Sequence, residues 1–153
     1  FAIVRSNGYA LVTVFNVMGG FIKGMRHFSF EEIMSTSDEA LGIFIRQYYD
    51  KSVSLPKEIL VSLDLQDASL IEEWFRAVKG KKVKILNPKR GEKAKLLAMV
   101  THNAEKELRE ESKKHFTQFA EIMEKVEEKI ESGLGLQPLF EPLIQHIQYI
   151  YNF

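Results

Sequence analysis

Gly19-Gly20 stands between two long runs, Tyr9 to Val17 and Phe21 to Phe30, in which apolar, β-branched and aromatic residues dominate. Two adjacent glycines accept positive φ at both central positions of a tight turn, so this pair predicts an antiparallel hairpin and pins its register. Asn7-Gly8 plays the same part between Ala2 to Arg5 and Tyr9, which makes the first thirty residues a three-stranded meander. In the third run Ile22, Phe28 and Phe30 share one face while Lys23, His27 and Ser29 share the other, the alternation of a half-buried strand.

After this meander the period changes. Ser37 or Asp38 is placed to cap a helix whose apolar residues Leu41, Phe44, Ile45 and Tyr48 recur at three- and four-residue steps and which ends near Asp50. Pro56 precedes a short apolar strand, Glu58 to Leu63, and Asp67 caps a second helix carrying Leu70, Ile71, Trp74, Phe75 and Val78, closed by Gly80. Lys82 to Leu86 reads as the next strand, Asn87-Pro88 as a breaker, and a helical pattern then runs from about Glu92 to about Ser132. Helical crossovers return a chain parallel and right-handed. The expected fold is therefore α/β (α+β): a ribonuclease-H-like mixed sheet with three antiparallel strands, two parallel ones and crossover helices, followed by a long C-terminal helix.

A chain of 153 residues with 45% hydrophobic content is enough for one core. Residues 1–110 are expected to form the ribonuclease-H-like domain. Residues 111–153 are expected to form the rest of a long amphipathic helix with an apolar terminal segment, Leu139 to Phe153, packed on it. Within that helix Ser112, Phe116, Phe119, Met123, Val126 and Ile130 step by four and three, a seam of two to three heptads. So short a seam predicts a helix lying on its own sheet or against the last segment rather than an independent coiled coil.

Charge and cysteine narrow the function. Lys and Arg number 21, Asp and Glu also 21, so no uniform basic coat is available for a polyanion and any such partner must meet a local patch. There is no cysteine, hence no disulfide framework, thiolate metal site or Cys nucleophile, in keeping with a reducing compartment. Apolar stretches such as Tyr9 to Phe15 fall far short of the roughly 20 residues that cross a bilayer. The expectation is a soluble, cytoplasmic chain without a membrane partner. It begins at Phe1, inside a strand and without an initiator Met, and is expected to be a piece of a longer protein.

Catalytic chemistry finds little support. Nucleases of the ribonuclease H type bridge two divalent ions with carboxylates, one of them from the middle of the first strand. Here that strand reads Phe1-Ala-Ile-Val-Arg-Ser6, with no acid. Asp64 and Asp67 stand where a further ligand belongs, yet a strand-end acid and a helix cap account for them equally well. His27, His102, His115 and His146 form no ligand spacing, and no nucleophile elbow or phosphate-cradling glycine loop is present. We therefore expect no catalytic residues, no metal and no cofactor.

The positive signal is a run of charge. Lys79, Lys81, Lys82, Lys84, Lys89, Arg90, Lys93 and Lys95 are accompanied between Lys79 and Lys95 by a single acid, Glu92, a local charge of +7 on a neutral chain. Lys82, Lys84, Lys89, Arg90, Lys93 and Lys95 are the candidate DNA-binding residues, and the strand-to-helix loop among them offers free amides as well. A solvated loop kept for solubility is the alternative.

The same residues carry a resemblance. Phe21-Ile-Lys-Gly-Met-Arg-His-Phe28, Phe44-Ile-Arg-Gln-Tyr-Tyr49, Leu55-Pro-Lys-Glu-Ile-Leu60 and Lys82-Val-Lys-Ile-Leu-Asn-Pro-Lys-Arg-Gly91, followed by Asn103-Ala104, resemble the central homology region of the bacterial excinuclease family UvrC, across roughly Tyr9 to Leu108. The resemblance implies nucleotide excision repair, with DNA handed over by UvrA and UvrB and incision carried out by flanking UvrC domains. It carries over Pro88 to Lys93 with Asn103-Ala104, and no catalytic residue. The tail departs from the family pattern: the Leu-Gly-Leu at Leu134 to Leu136 leads into a segment whose one acid is Glu141. Three readings follow: a non-catalytic UvrC domain that spaces the nuclease modules and meets DNA phosphates or a neighbouring domain; a magnesium nuclease using Asp64, Asp67 and Glu39; and a protein-interaction module working through Phe116 to Ile130.

Overall fold

The computed structural model describes residues 1–6, 8–31 and 35–133, with 142, 144 and 145. Asn7 of the first turn, Leu134 to Leu136 and all but three positions of the expected terminal segment Leu139 to Phe153 lie outside the described residues.

Three strands open the chain: β1 (Ala2–Ser6), β2 (Tyr9–Met18) and β3 (Phe21–Glu31). Both pairings are antiparallel, with Ala2 opposite Thr13 and Met18 opposite Phe21. Gly19 and Gly20 take φ of 59° and 80° at the hairpin tip, the pair of positive angles that only glycine adopts without strain. Helix α1 (Ser37–Asp50) leads to β4 (Glu58–Leu60), α2 (Ala68–Lys79) to β5 (Lys84–Leu86), and α3 (Gly91–Ser132) completes the order. β4 and β5 pair in parallel.

The two sheets are stitched at one point. The Phe1 amine donates to the Leu60 carbonyl at 2.8 Å and Ser62 N–H donates to the Phe1 carbonyl at 3.1 Å, which sets Phe1 beside Val61 in parallel. The spatial order becomes β3-β2-β1-β4-β5, the expected ribonuclease-H-like arrangement. The parallel strands are shorter than the sequence suggests: Glu58 to Leu63 yields strand only to Leu60, and Lys82 to Leu86 only from Lys84.

Alternation along the strands divides the core in two. Ile3, Ala10, Val12 and Val14 face α1 and α2, where Leu41, Ile45, Ile71 and Phe75 cover them together with Ile59 and Ile85. Gly42 permits the close approach of the helices, since a Cβ there would meet Ile71 Cδ1 at 3.2 Å. On the opposite face Ala2 and Leu11 lie under Leu97, Val100, Ala104 and Leu108 of α3. The cap of α1 is Thr36, one residue before the expected Ser37 and two before Asp38, because Glu39 reaches back to accept from Thr36 N–H at 3.2 Å.

Helix α3 has 42 residues, a rod of about 63 Å. Its buried positions end at Leu108, and beyond them Glu111 accepts from the Ser29 hydroxyl and His115 lies 5.9 Å from the Tyr9 ring. The expected seam does not lie on the sheet: Phe116 and Ile130 are exposed. The sheet is simply narrower than the helix is long.

Candidate nucleic-acid interface

The basic loop is built by Pro88, Arg90 and Gly91. Arg90 takes an extended conformation (φ −146°, ψ 162°) and Gly91 a φ of +78°, so the chain turns abruptly from β5 into α3. Arg90 occupies the cap position without capping the helix through its side chain, which leaves the first-turn amides of α3 unclaimed by a cap.

Tertiary folding brings acids to this run that are distant in sequence. Lys84 pairs with Glu72 of α2 at 3.0 Å, Lys89 with Asp64 at 3.5 Å and Lys93 with Glu58 at 2.5 Å, while Lys95 meets its neighbour Glu92 at 3.0 Å. Lys79 turns away and donates to the Asp50 carbonyl. Eight cations thus face four acids, and the local excess is +4 rather than the +7 counted along the chain. Lys81, Lys82 and Arg90 are exposed and meet no carboxylate among the described residues.

Glu72 does more than neutralise Lys84. Its other oxygen accepts from Ile85 N–H at 2.9 Å, closing the outer edge of β5. Partial burial pulls the Glu72 carboxyl up, but the Ile85 amide and the Lys84 ammonium outweigh it and hold it below the ordinary carboxylate range. At Asp38 the Thr36 hydroxyl lowers the carboxyl in the same direction.

The two acids singled out as ligand candidates point to different neighbours. Asp64 accepts from Asn87 Nδ2 at 3.0 Å through one oxygen and faces Lys89 with the other. Asp67 occupies the cap position of α2 without a side-chain cap hydrogen bond, and lines the groove between α1 and α2 together with Asp38, Glu39, Arg46 and Trp74. Among the described residues no three carboxylates or histidines gather in the geometry of a metal site. His27 is tied to buried Thr13, Nδ1 to Oγ1 at 2.8 Å.

Sequence reasoning missed a second basic group. Arg5 and Ser6 at the end of β1 share an open recess with Arg109, Ser112 and Lys113 of α3. A hundred residues separate them along the chain, and only the packing of α3 across β1 joins them. Asn103-Ala104 proves remote from the loop, about 15 Å along α3 from Lys93; Ala104 is fully buried against the sheet, while the Asn103 amide donates to the Met99 carbonyl at 2.9 Å within the helix.

Residues 1–111 match the family described as the UvrC Ribonuclease H-like domain. The chain belongs to that family. Among curated proteins, a UvrABC system protein C from Symbiobacterium thermophilum is 42% identical over 114 residues, covering 71% of this chain and 18% of its own length. Those from Clostridioides difficile and Desulfatibacillum aliphaticivorans are 38% identical over 104 residues and 36% over 99. They are covered to 17% and 16% of their length by 67% and 65% of this chain. This UvrC ribonuclease H-like domain therefore spans about a sixth of the relatives it matches. No solved structure matches it.

Proposed function

We propose that this domain is a non-catalytic module of a UvrC-type excision-repair nuclease, cytoplasmic and acting with UvrA, UvrB and the other UvrC domains. It spaces the incision modules and meets DNA phosphates through Lys89 and Arg90, with Lys93, Lys95, Lys82 and Lys84 in support. One observation carries the reading: the Asp64 carboxylate, four residues past the end of β4, is held by Asn87 and Lys89, while the adjacent β1 offers Ala2-Ile-Val-Arg-Ser6 and no acid. A lysine stands in the place of a cation, and that lysine belongs to the basic loop. The ion pairs of the loop are exposed and worth about 0–1 kcal/mol each, so phosphate oxygens can replace the carboxylates.

Contact with about three phosphates gives a slope of log K against log salt near −2.7 and an affinity of about 10⁻⁴ to 10⁻⁶ M at physiological salt. Duplex titration at several salt concentrations measures both. Lys89→Ala with Arg90→Ala is expected to weaken binding and flatten the slope by up to about two units without lowering the melting temperature. Unchanged binding by that variant would make the loop structural. Magnesium- or manganese-dependent cleavage that Asp64→Asn abolishes would overturn the non-catalytic assignment.

A second reading has its own observation. Beyond Leu108 no residue of α3 is buried, and Phe116 and Ile130 are exposed, which favours the Phe116 to Ile130 seam as a surface that contacts a neighbouring domain or protein.

A further inference from the structure

The β2–β3 hairpin outruns the body of the protein. Ala10 to Val14 of β2 are fully buried, but Asn16, Val17 and Met18 are exposed, and the strand continues about 14 Å past its last buried residue. At the tip the apolar side chains face water: Met18 is 68% exposed, Phe21 70%, Met25 49% and Ile22 41%. Isolated exposed hydrophobics are ordinary, whereas five on one short ribbon, these four with Val17, are not.

Within the meander, as far as Phe30, the charge has one sign. Residues 1–30 contain no Asp or Glu, in a chain that has 21. Lys23 lies over the Phe21 ring at 5.6 Å from its centroid, and Arg26 over the Phe28 ring at 5.9 Å. Neither meets a carboxylate among the described residues. Register explains the placement of Lys23: Asn16 pairs with Gly24 and Val17 with Ile22, so Lys23 is the extra residue of a bulge, a feature that re-aims side chains. The parallel relation of β1 to β4 and β5 puts the hairpin tip, which runs past Ala2, at the same end of the sheet as Lys57, Lys81 and Lys82, all exposed, where the acid Glu58 is engaged by Lys93.

We propose that this hairpin tip is a second nucleic-acid site, one that takes an unpaired or unstacked base against Phe21, with Lys23 and Arg26 on the adjoining phosphates. An exposed ring beside two cations that meet no carboxylate among the described residues suits a partner that is at once polyanionic and aromatic. Base–aromatic stacking tolerates any base, and apolar wedges of this kind enter disturbed base steps. A lipid surface would find only a narrow apolar ribbon here, and a protein partner would have to be acidic over the whole contact. The proposal concerns a different surface from the Lys89–Arg90 loop and stands independently of it.

The test is fluorescence anisotropy with three labelled oligonucleotides: a paired duplex, the same duplex with a central bubble, and a single strand. Wild type is expected to prefer the bubble and the single strand. Phe21→Ala should lower affinity for those two by about 5- to 150-fold, the cost of one lost stack, and leave the salt slope unchanged. Lys23→Ala with Arg26→Ala should instead flatten the single-strand slope by up to about 1.4 units. Because all three positions are exposed, melting temperatures should match wild type, and a variant that melts early is replaced by Phe21→Leu, which keeps the apolar contact and loses the ring. Equal bubble binding by Phe21→Ala, no preference for unpaired bases, or an effect seen only on vesicles of anionic lipid would each overturn the proposal. Loss of duplex binding in the Lys89, Arg90 variant with the hairpin variants at wild-type affinity would refute this site alone; the converse would refute the loop alone.

Discussion

The basic run from Lys79 to Lys95 and the tip of the β2–β3 hairpin invert what their sequences advertise. The first carries eight cations, of which Lys84, Lys89, Lys93 and Lys95 meet acids, three of those acids being supplied by other elements. The second carries two cations, and neither meets one among the described residues. Field strength at a surface depends on which charges folding brings together, so a dense run on a neutral chain is partly silenced while a sparse one in an acid-free meander keeps its full charge. The regions also differ mechanically. The run lies along β5, α2 and α3, packed into the body, whereas Asn16 to Ile22 at the hairpin tip are exposed.

That mechanical contrast predicts the largest effect. Leu11→Ala, at the buried root of β2, should cost about 2–5 kcal/mol by denaturant unfolding, and Met18→Ala, seven residues along the same strand, less than about 0.5 kcal/mol. A comparable loss at Met18 would mean that the tip is packed in solution, and the comparison would fail.

Next in size is the stitch that joins the two regions. The Ser62 hydroxyl accepts from Ile3 N–H at 3.3 Å, so Ser62→Ala leaves that half-buried amide unpaired and should cost about 1 kcal/mol in urea melts. No loss would mean that β1 and β4 are held together without this bond.

The smallest effect concerns charge. Glu58→Gln with Asp64→Asn frees Lys93 and Lys89, and should steepen the salt slope of duplex binding by up to about 1.8 units with little change in stability. An unchanged slope would mean that the acids do not restrain the run and that the contrast with the hairpin is one of shape alone.

Much of the fold was legible because its signals are local. Gly19-Gly20 marked the hairpin, Gly80 at φ 64° ended α2, and the three- and four-residue steps of Leu41, Phe44, Ile45 and Tyr48 delimited α1 to within a residue. The ends of β4 and β5 were less legible, because apolar Val61, Leu63 and Val83 read as strand while the ladder stops short of them. At the candidate site the cations were legible one by one, their partners not at all: nothing in Lys89 announces Asp64, nor in Lys93 Glu58. Arg5 and Arg109 were missed for the same reason.

Period, turn chemistry and charge composition, all properties of neighbouring residues, settled by sequence alone the element order, the fold class and the absence of any acid before Glu31. The tertiary structure decided which lysines remain unpaired, that Phe1 sews β1 to β4, and that four strand residues beyond the core carry Met18 and Phe21 into water. These outcomes depend on where helices of unequal length cross a narrow sheet, a matter of long-range packing that no local pattern encodes.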